Sequence, residues 1–205
     1  MKAVYIVDDA KIAKVLIDPM RRAILGLLRQ KPMTQAGLAN ELGLTAASLN
    51  YHMNILRSKK LVTIAKKEVE RHRIMQIFFS TTAYLFVYDL DSLPKSIARY
   101  FYPVSLERAR AVVVSLLMLN RKVLSSLSSS SPQSSMYTID QTPESIDAIS
   151  ENLSRFLVKA AKSYEDKIVN HGDESIIYKI YSKAISSFLK EKNIRNSLLV
   201  RKPRS

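Results

Sequence analysis

Between Thr45 and Val62 the chain reads TAASLNYHMNILRSKKLV, and Ser48, Asn50, Tyr51 and Asn54 recur at spacings that share one side of a helix. These side chains suit the reading of nucleic-acid bases. Asn donates and accepts together against adenine, Ser bonds to several groups, and Tyr reaches a phosphate or packs on a thymine methyl. Leu49, Met53 and Leu56 form the opposite stripe, which must pack inward. Thr45 as N-cap and Ala47 in the first turn keep the helix start small enough to approach a phosphate or base edge closely. Positive charge follows in Arg57, Lys59 and Lys60, then in Lys66, Lys67, Arg71 and Arg73 of the segment AKKEVERHR. Thr34 and Gln35 open the preceding helix. Together these residues are the candidate DNA-binding set, with Asn50, Tyr51 and Asn54 setting sequence preference, and the wing at the minor groove together with Lys59-Lys60 setting salt-dependent affinity. The plain alternative is a solvated helix face followed by a solubilising loop. His52, three residues after Leu49 and four before Leu56, turns toward the buried side and is expected to pack rather than to ligate.

Other chemistries find few residues. There is no cysteine, so disulfides, thiolate metal sites and cysteine nucleophiles are excluded. His52, His72 and His171 include no i, i+4 pair, and no metal or other cofactor is expected. No Asp-Glu-His cluster and no phosphate-cradling loop stands out in a chain with 4 glycines, which speaks against an enzyme. The 32 Lys and Arg outnumber 18 Asp and Glu for a formal charge of +14, an excess that attracts nucleic acid or anionic membrane. The longest apolar run, Ala111 to Leu119, is roughly half the ~20 residues that cross a bilayer. Asp8 and Asp9 interrupt the segment where a signal peptide would stay apolar, so a cytoplasmic protein without a membrane partner is expected.

The elements that must position these residues follow from caps and periodicity. Residues 10 to 30 repeat Ile12, Val15, Leu16, Ile24, Leu27 and Leu28 at helical spacing, with Asp18-Pro19 marking a restart: one helix or two short ones. Thr34 caps a short helix that Gly43 ends, and Thr45 caps the next, the spacing of a helix-turn-helix. Leu61, Val62 and Ile64 begin a strand, and Arg73 to Tyr84 read as a second, so that a charged hairpin forms a wing. Downstream, Pro94 and Pro103 bracket a short helix, and a long one with apolar residues on nearly every face runs from Ser105 to Leu124. A Ser-rich stretch follows, then Thr142-Pro143-Glu144 starts a helix with a heptad-like seam of Ile146, Ile149, Leu153, Phe156 and Ala160, ending near Asn170. Asp173 caps a last helix, antiparallel to it, carrying Ile177, Ile180, Tyr181, Ala184, Phe188 and Leu189.

The expected fold is mainly α with a small β-hairpin wing. Its divisions are a winged helix-turn-helix domain over 1–88, a helical region over 89–124, a Ser-rich flexible linker over 125–141, and a helical hairpin with a basic tail over 142–205. Residues 1–85 hold 14 basic and 6 acidic side chains, against 18 and 12 in the longer remainder, so the winged part is the more basic per residue.

With these elements placed, LIDPMRRAILGLL (Leu16 to Leu28), MTQAGLANELGLTAASLNYHMNILRSKKLV (Met33 to Val62) and the basic wing resemble the ArsR-type winged-helix transcription regulators, including their many archaeal members. The resemblance covers roughly residues 8 to 84 and implies a sequence-specific regulator of double-stranded DNA. One departure matters. Metal-sensing members carry a Cys-x-Cys pair before the recognition helix, where this chain has ELGLTAA, so a thiolate metal switch is excluded. The C-terminal helices are expected to form a homodimer, which doubles the bases read and gives the 105 to 124 helix and the 146 to 160 seam a surface to bury. Tyr100, Phe101 and Tyr102 could line an effector pocket, but such stripes are more often core, and a small-molecule effector has no support. The tail is expected to float. The alternative function is a winged helix for protein contact, or a general chromatin or transcription-machinery factor with weak sequence preference.

Overall fold

Asp18-Pro19 divides the first helical stretch in two. In the computed structural model, which describes residues 1–69, 75–108, 137–139, 143–190 and 199–201, α1 spans Ala10–Ile17 and α2 spans Pro19–Gln30. The Asp18 carboxylate accepts from the backbone N–H of Met20 (2.8 Å) and Arg21 (3.2 Å), while Pro19 sits where a missing N–H costs nothing. α3 (Gln35–Leu42) starts on Thr34, whose hydroxyl accepts from Gly37 N–H at 3.1 Å, and ends on Gly43 at φ 63°. α4 (Ala46–Ser58) starts on Thr45 in the same way, accepting from Ser48 N–H at 3.2 Å. Leu16, Ile24, Leu28, Leu38, Leu49, Met53 and Leu56 are fully buried where these helices meet.

The strands depart from expectation. β2 (Val62–Val69) and β3 (Met75–Thr81) form the antiparallel wing, with the ladder shifted by a bulge between Ile64 and Lys66. Residues 70–74 lie outside the described residues. The second expected strand, 73 to 84, stops at Thr82. Its continuation, β4 (Ala83–Tyr88), leaves the wing and pairs in parallel with an N-terminal strand, β1 (Lys2–Val7), that the sequence reading did not anticipate. The break is pinned by Thr82 N–H donating to Leu61 O at 3.0 Å and by the Thr81 hydroxyl donating to Ala83 O at 2.9 Å. The fold is therefore mixed rather than mainly α with a wing alone. All of AYLFVY in β4 is buried, because both faces of this strand pair are covered.

One face meets the winged-helix core through Val7, Ala83, Phe86 and Tyr88. The other meets the C-terminal helices α6 (Pro143–Lys162) and α7 (Ser175–Lys190), where Ala3, Val4, Leu85 and Val87 pack with Leu153, Leu157, Ala161, Ile176 and Ile180. Leu153 and Ala160 of the heptad-like seam are thus buried within one chain. The buried Ser154 ties α6 to the end of β4, donating to Tyr88 O (2.7 Å) and accepting from Leu90 N–H (3.3 Å). α6 ends at Lys162, short of the expected Asn170, since residues 163–169 run to the edge of β1: Ala3 N–H donates to Lys167 O at 2.7 Å and Val169 N–H to Met1 O at 3.0 Å.

Between the two layers α5 (Lys95–Ala98) continues as a 3-10 turn (Arg99–Phe101), and residues 102–108 are helical. Pro103, expected to close a helix, instead occupies the first turn of the next. The rest of the expected 105 to 124 helix and the Ser-rich stretch lie outside the described residues. Within the expected linker, β5 (Tyr137–Ile139) pairs antiparallel with β6 (Leu199–Arg201) from the tail expected to float.

Candidate nucleic-acid interface

The helical wheel of α4 is divided by its packing. Leu49, Met53 and Leu56 face the core, while Ala47, Asn50, Tyr51, Asn54 and Arg57 are exposed, Tyr51 to 60%. Ser48 is half-buried, its N–H taken by the Thr45 cap. His52 is also half-buried and faces inward, with Nδ1 3.7 Å from Asp18 Oδ2 and the Tyr51 ring edge-on to its own at 5.4 Å. Asp18 therefore both starts α2 and stands beside α4. The two arginines that follow it are structural: Arg22 Nη1 donates to Leu16 O (2.7 Å) and Ile17 O (2.6 Å), and Arg21 Nη1 to Val15 O (3.1 Å). They satisfy carbonyls that the C-terminus of α1 leaves open and fix the angle between α1 and α2.

Thr34 and Gln35 are half-buried and line an open groove of about 290 Å³ with Ala36, Met75, Gln76, Ile77 and Phe79, between α3 and β3. The hydroxyls of Thr34 and Thr45 accept from the backbone and keep their protons for an outside acceptor. Arg57 lies over the Phe79 ring, 5.6 Å from its centroid, linking α4 to the wing.

The end of α4 carries Lys59 and Lys60 on a tight reversal. Lys60 N–H donates to Arg57 O and Leu61 N–H to Leu56 O, both at 2.9 Å, the double bond of a Schellman turn. That turn needs a left-handed residue. Lys60 supplies it at φ 55°, where a side chain costs about 1–2 kcal/mol relative to ordinary backbone. On the wing, Lys67 is exposed, whereas Lys66 bonds to Glu68 at 2.6 Å and lies over the Phe78 ring at 4.6 Å. Arg71 and Arg73 lie outside the described residues. The wing is less uniformly polar than its sequence reads, since Ile64, Val69 and Met75 are exposed.

Phe101 and Tyr102 belong to the core: Phe101 stacks on Tyr88 at 3.9 Å, and the Tyr102 hydroxyl donates to Glu151 at 2.7 Å. Burial, and then the bond to Glu151, push the Tyr102 hydroxyl up to about 12. Tyr100 is exposed. The sequence reading passed over Arg29 and Arg108, which approach a cavity beside α2; the available signal was Gly26 in the middle of a helix.

Residues 16–65 match the family described as a helix-turn-helix domain, an ArsR-type family of transcription regulators and not of enzymes. Over 56 residues the chain is 32% identical to the transcriptional repressor SdpR of Bacillus subtilis (strain 168), an alignment covering 27% of this chain and 62% of that repressor. The chain thus spans about three fifths of the length of this curated relative. Among the described residues no helix is long and apolar enough to cross a membrane.

Proposed function

We propose that this chain, whose residues 16–65 are an ArsR-type helix-turn-helix domain without cysteine, is a sequence-specific regulator of transcription that binds double-stranded DNA as a homodimer in the cytoplasm. The observation that carries the reading is the exposed face of α4, where Asn50, Tyr51 and Asn54 project from a helix whose apolar side is fully occupied. A helix of about 10–12 Å diameter matches a major groove about 12 Å wide. Ala47 and Ser48 in its first turn let the start of α4 come close to the bases, and Thr34, Gln35 and Thr45 donate hydroxyl or amide protons to the flanking backbone. Lys59, Lys60, Lys66 and Lys67 neutralise phosphates, Lys66 by exchanging Glu68 for a phosphate oxygen, and Arg71 and Arg73 reach the minor groove.

The dimer has a specific candidate surface. With Leu153 and Ala160 of the α6 seam buried inside the chain, the run AVVVSLLML from Ala111 to Leu119, which lies outside the described residues, is a candidate by sequence for pairing two copies, with half-sites about 34 Å apart. Selection of bound fragments from random DNA, followed by gel shifts with Asn50→Ala and Arg71→Ala, tests the reading. Loss of preference in the first and a reduced salt slope in the second are expected; unchanged binding by both rejects the assignment. The exposed Ile64, Val69 and Met75 favour a second reading, in which the wing contacts a protein. DNA binding without sequence preference, even at low salt, would decide for it.

A further inference from the structure

Gly26 sits in the middle of α2, where glycine costs roughly 1 kcal/mol relative to Ala. Apart from its chain neighbours and the backbone of α2 itself, nothing lies within 4 Å of where its Cβ would stand. The space belongs to a cavity of about 150 Å³ between α2 and β4, lined by Leu16, Leu25, Gly26, Phe86, two tyrosines and three arginines. This volume far exceeds the ~10–15 Å³ that holds one water, and lies below the ~300–1,000 Å³ of pockets for larger ligands.

The charge of the lining is one-sided. Arg22, Arg29 and Arg108 meet there with no Asp or Glu among the lining residues, and no ion pair to any of the three occurs among the described residues. A guanidinium cannot shed its proton to relieve burial, so its donors need acceptors, and an anion meets both their charge and their hydrogen bonds. Arg22 and Arg108 are partly satisfied by carbonyls, Arg108 Nη1 donating to Phe86 O at 3.1 Å, and Arg108 also bonds to the Tyr181 side chain. Arg29 Nε is buried with no hydrogen-bond partner, and so is the Tyr84 hydroxyl, above whose ring the Arg29 guanidinium lies at 5.7 Å. Burial above all, and then Glu174 and Asp173, raise the pKa of that hydroxyl against the lowering by Arg29 and by the Gln30 amide beside it, so it stays neutral. Tyr88 and, beside Arg108, Tyr181 are likewise kept neutral by burial. Forked donors converging on a small, half-open cavity match a tetrahedral oxyanion.

We propose that this cavity binds a compact, doubly charged oxyanion, inorganic phosphate or the phosphoryl end of a small metabolite, clamped by Arg22, Arg29 and Arg108 with the Tyr84 hydroxyl as a further donor. The site joins α2 of the winged helix to the strand that carries the C-terminal layer, so its occupant bridges both layers. It stands apart from the proposed DNA reading and is tested without DNA.

The test is calorimetric titration of the full chain with inorganic phosphate at ionic strength held constant with chloride, alongside a phosphomonoester in a second arm. One phosphate per chain is expected, with melting raised by about 5–10 °C at a hundredfold excess over Kd. Tighter binding of the ester would assign the site to a metabolite, and tighter binding of phosphate to the free ion. Arg29→Gln, which removes the unsatisfied donor, should weaken binding at least tenfold, and Gly26→Leu, which fills the space, should abolish it. Gly26→Ala should melt higher without phosphate yet bind it more weakly, a combination that general destabilisation cannot produce. Phosphate binding that survives Arg29→Gln and both Gly26 variants would place the anion on the basic surface and overturn the proposal. So would the absence of saturable binding in the millimolar range.

Discussion

Replacing Lys60 by Gly should move two properties in opposite directions. The left-handed backbone at φ 55° costs a side chain about 1–2 kcal/mol, and glycine returns roughly 0.5–1 kcal/mol of that through its freer unfolded chain. The Schellman bonds to Arg57 and Leu56 remain, so Lys60→Gly should stabilise by about 0.5–1 kcal/mol, raising the melting temperature by about 2 °C in a chain of this size. If the ammonium neutralises one phosphate, the same change lowers the slope of log K against log salt by about 0.9. Between 50 and 200 mM salt that slope corresponds to about 3.5-fold in affinity for one contact, so the variant's deficit is largest at low salt and shrinks as salt rises. Denaturant unfolding and fluorescence anisotropy on a selected DNA site, with Lys60→Ala as control, measure both. The alanine variant keeps the strain and loses the charge, so it should bind like Lys60→Gly without melting higher. A glycine variant no more stable than wild type would refute the strain argument, and an unchanged salt slope would refute the phosphate contact.

Ser154→Ala should cost about 1–3 kcal/mol, since Tyr88 O and Leu90 N–H would both lose their partner in a buried place; urea unfolding measures it, and a loss within error would mean water replaces the hydroxyl. Tyr102→Phe should cost about 1–2 kcal/mol by removing the bond to Glu151, and should delete a tyrosine that ionises only near pH 12 in ultraviolet titration. His171 lies 2.8 Å from the Ser80 hydroxyl with its pKa lowered, by burial first and then by the positive amino terminus. Below about pH 6.5 the unfolded chain therefore takes up a proton before the folded one. The stability His171 contributes is full above that pH and is lost as pH falls through the lowered value, and His171→Gln should flatten that part of a melting profile.

The helix-turn-helix was readable because every boundary is local chemistry. Asp18-Pro19, Thr34, Gly43 and Thr45 act on backbone groups within a turn of themselves, and the inward stripe of Leu49, Met53 and Leu56 follows from helical period alone. His52 was placed correctly for the same reason. β1 and β4 were missed or merged because their signal is not local: a strand buried on both faces loses the alternation that marks one, and RIMQIFFSTTAY contains no Gly or Pro to show the chain changing partners at Thr82. The seam on α6 had the right period, but period says that a face is buried and not whether its cover is another subunit or, as here, a sheet of the same chain. The strain at Lys60 and the meeting of Arg22, Arg29 and Arg108 depend on tertiary placement and leave only the oddity of Gly26 in the sequence.

The pairing of Lys2 with Ala83 also bears on how the chain is made. A parallel pair cannot form through a tight turn, and β1 leaves the ribosome about eighty residues before its partner, roughly 4–16 s at ordinary rates of synthesis. During that interval the apolar KAVYIV segment has neither its neighbouring strand nor the α6 and α7 helices that later cover it. The caps and local contacts of α1 to α4 can organise first. β1 therefore waits for β4 to be made before it can pair, and for α6 and α7 before its other face is covered, which leaves it open to chaperones in the meantime.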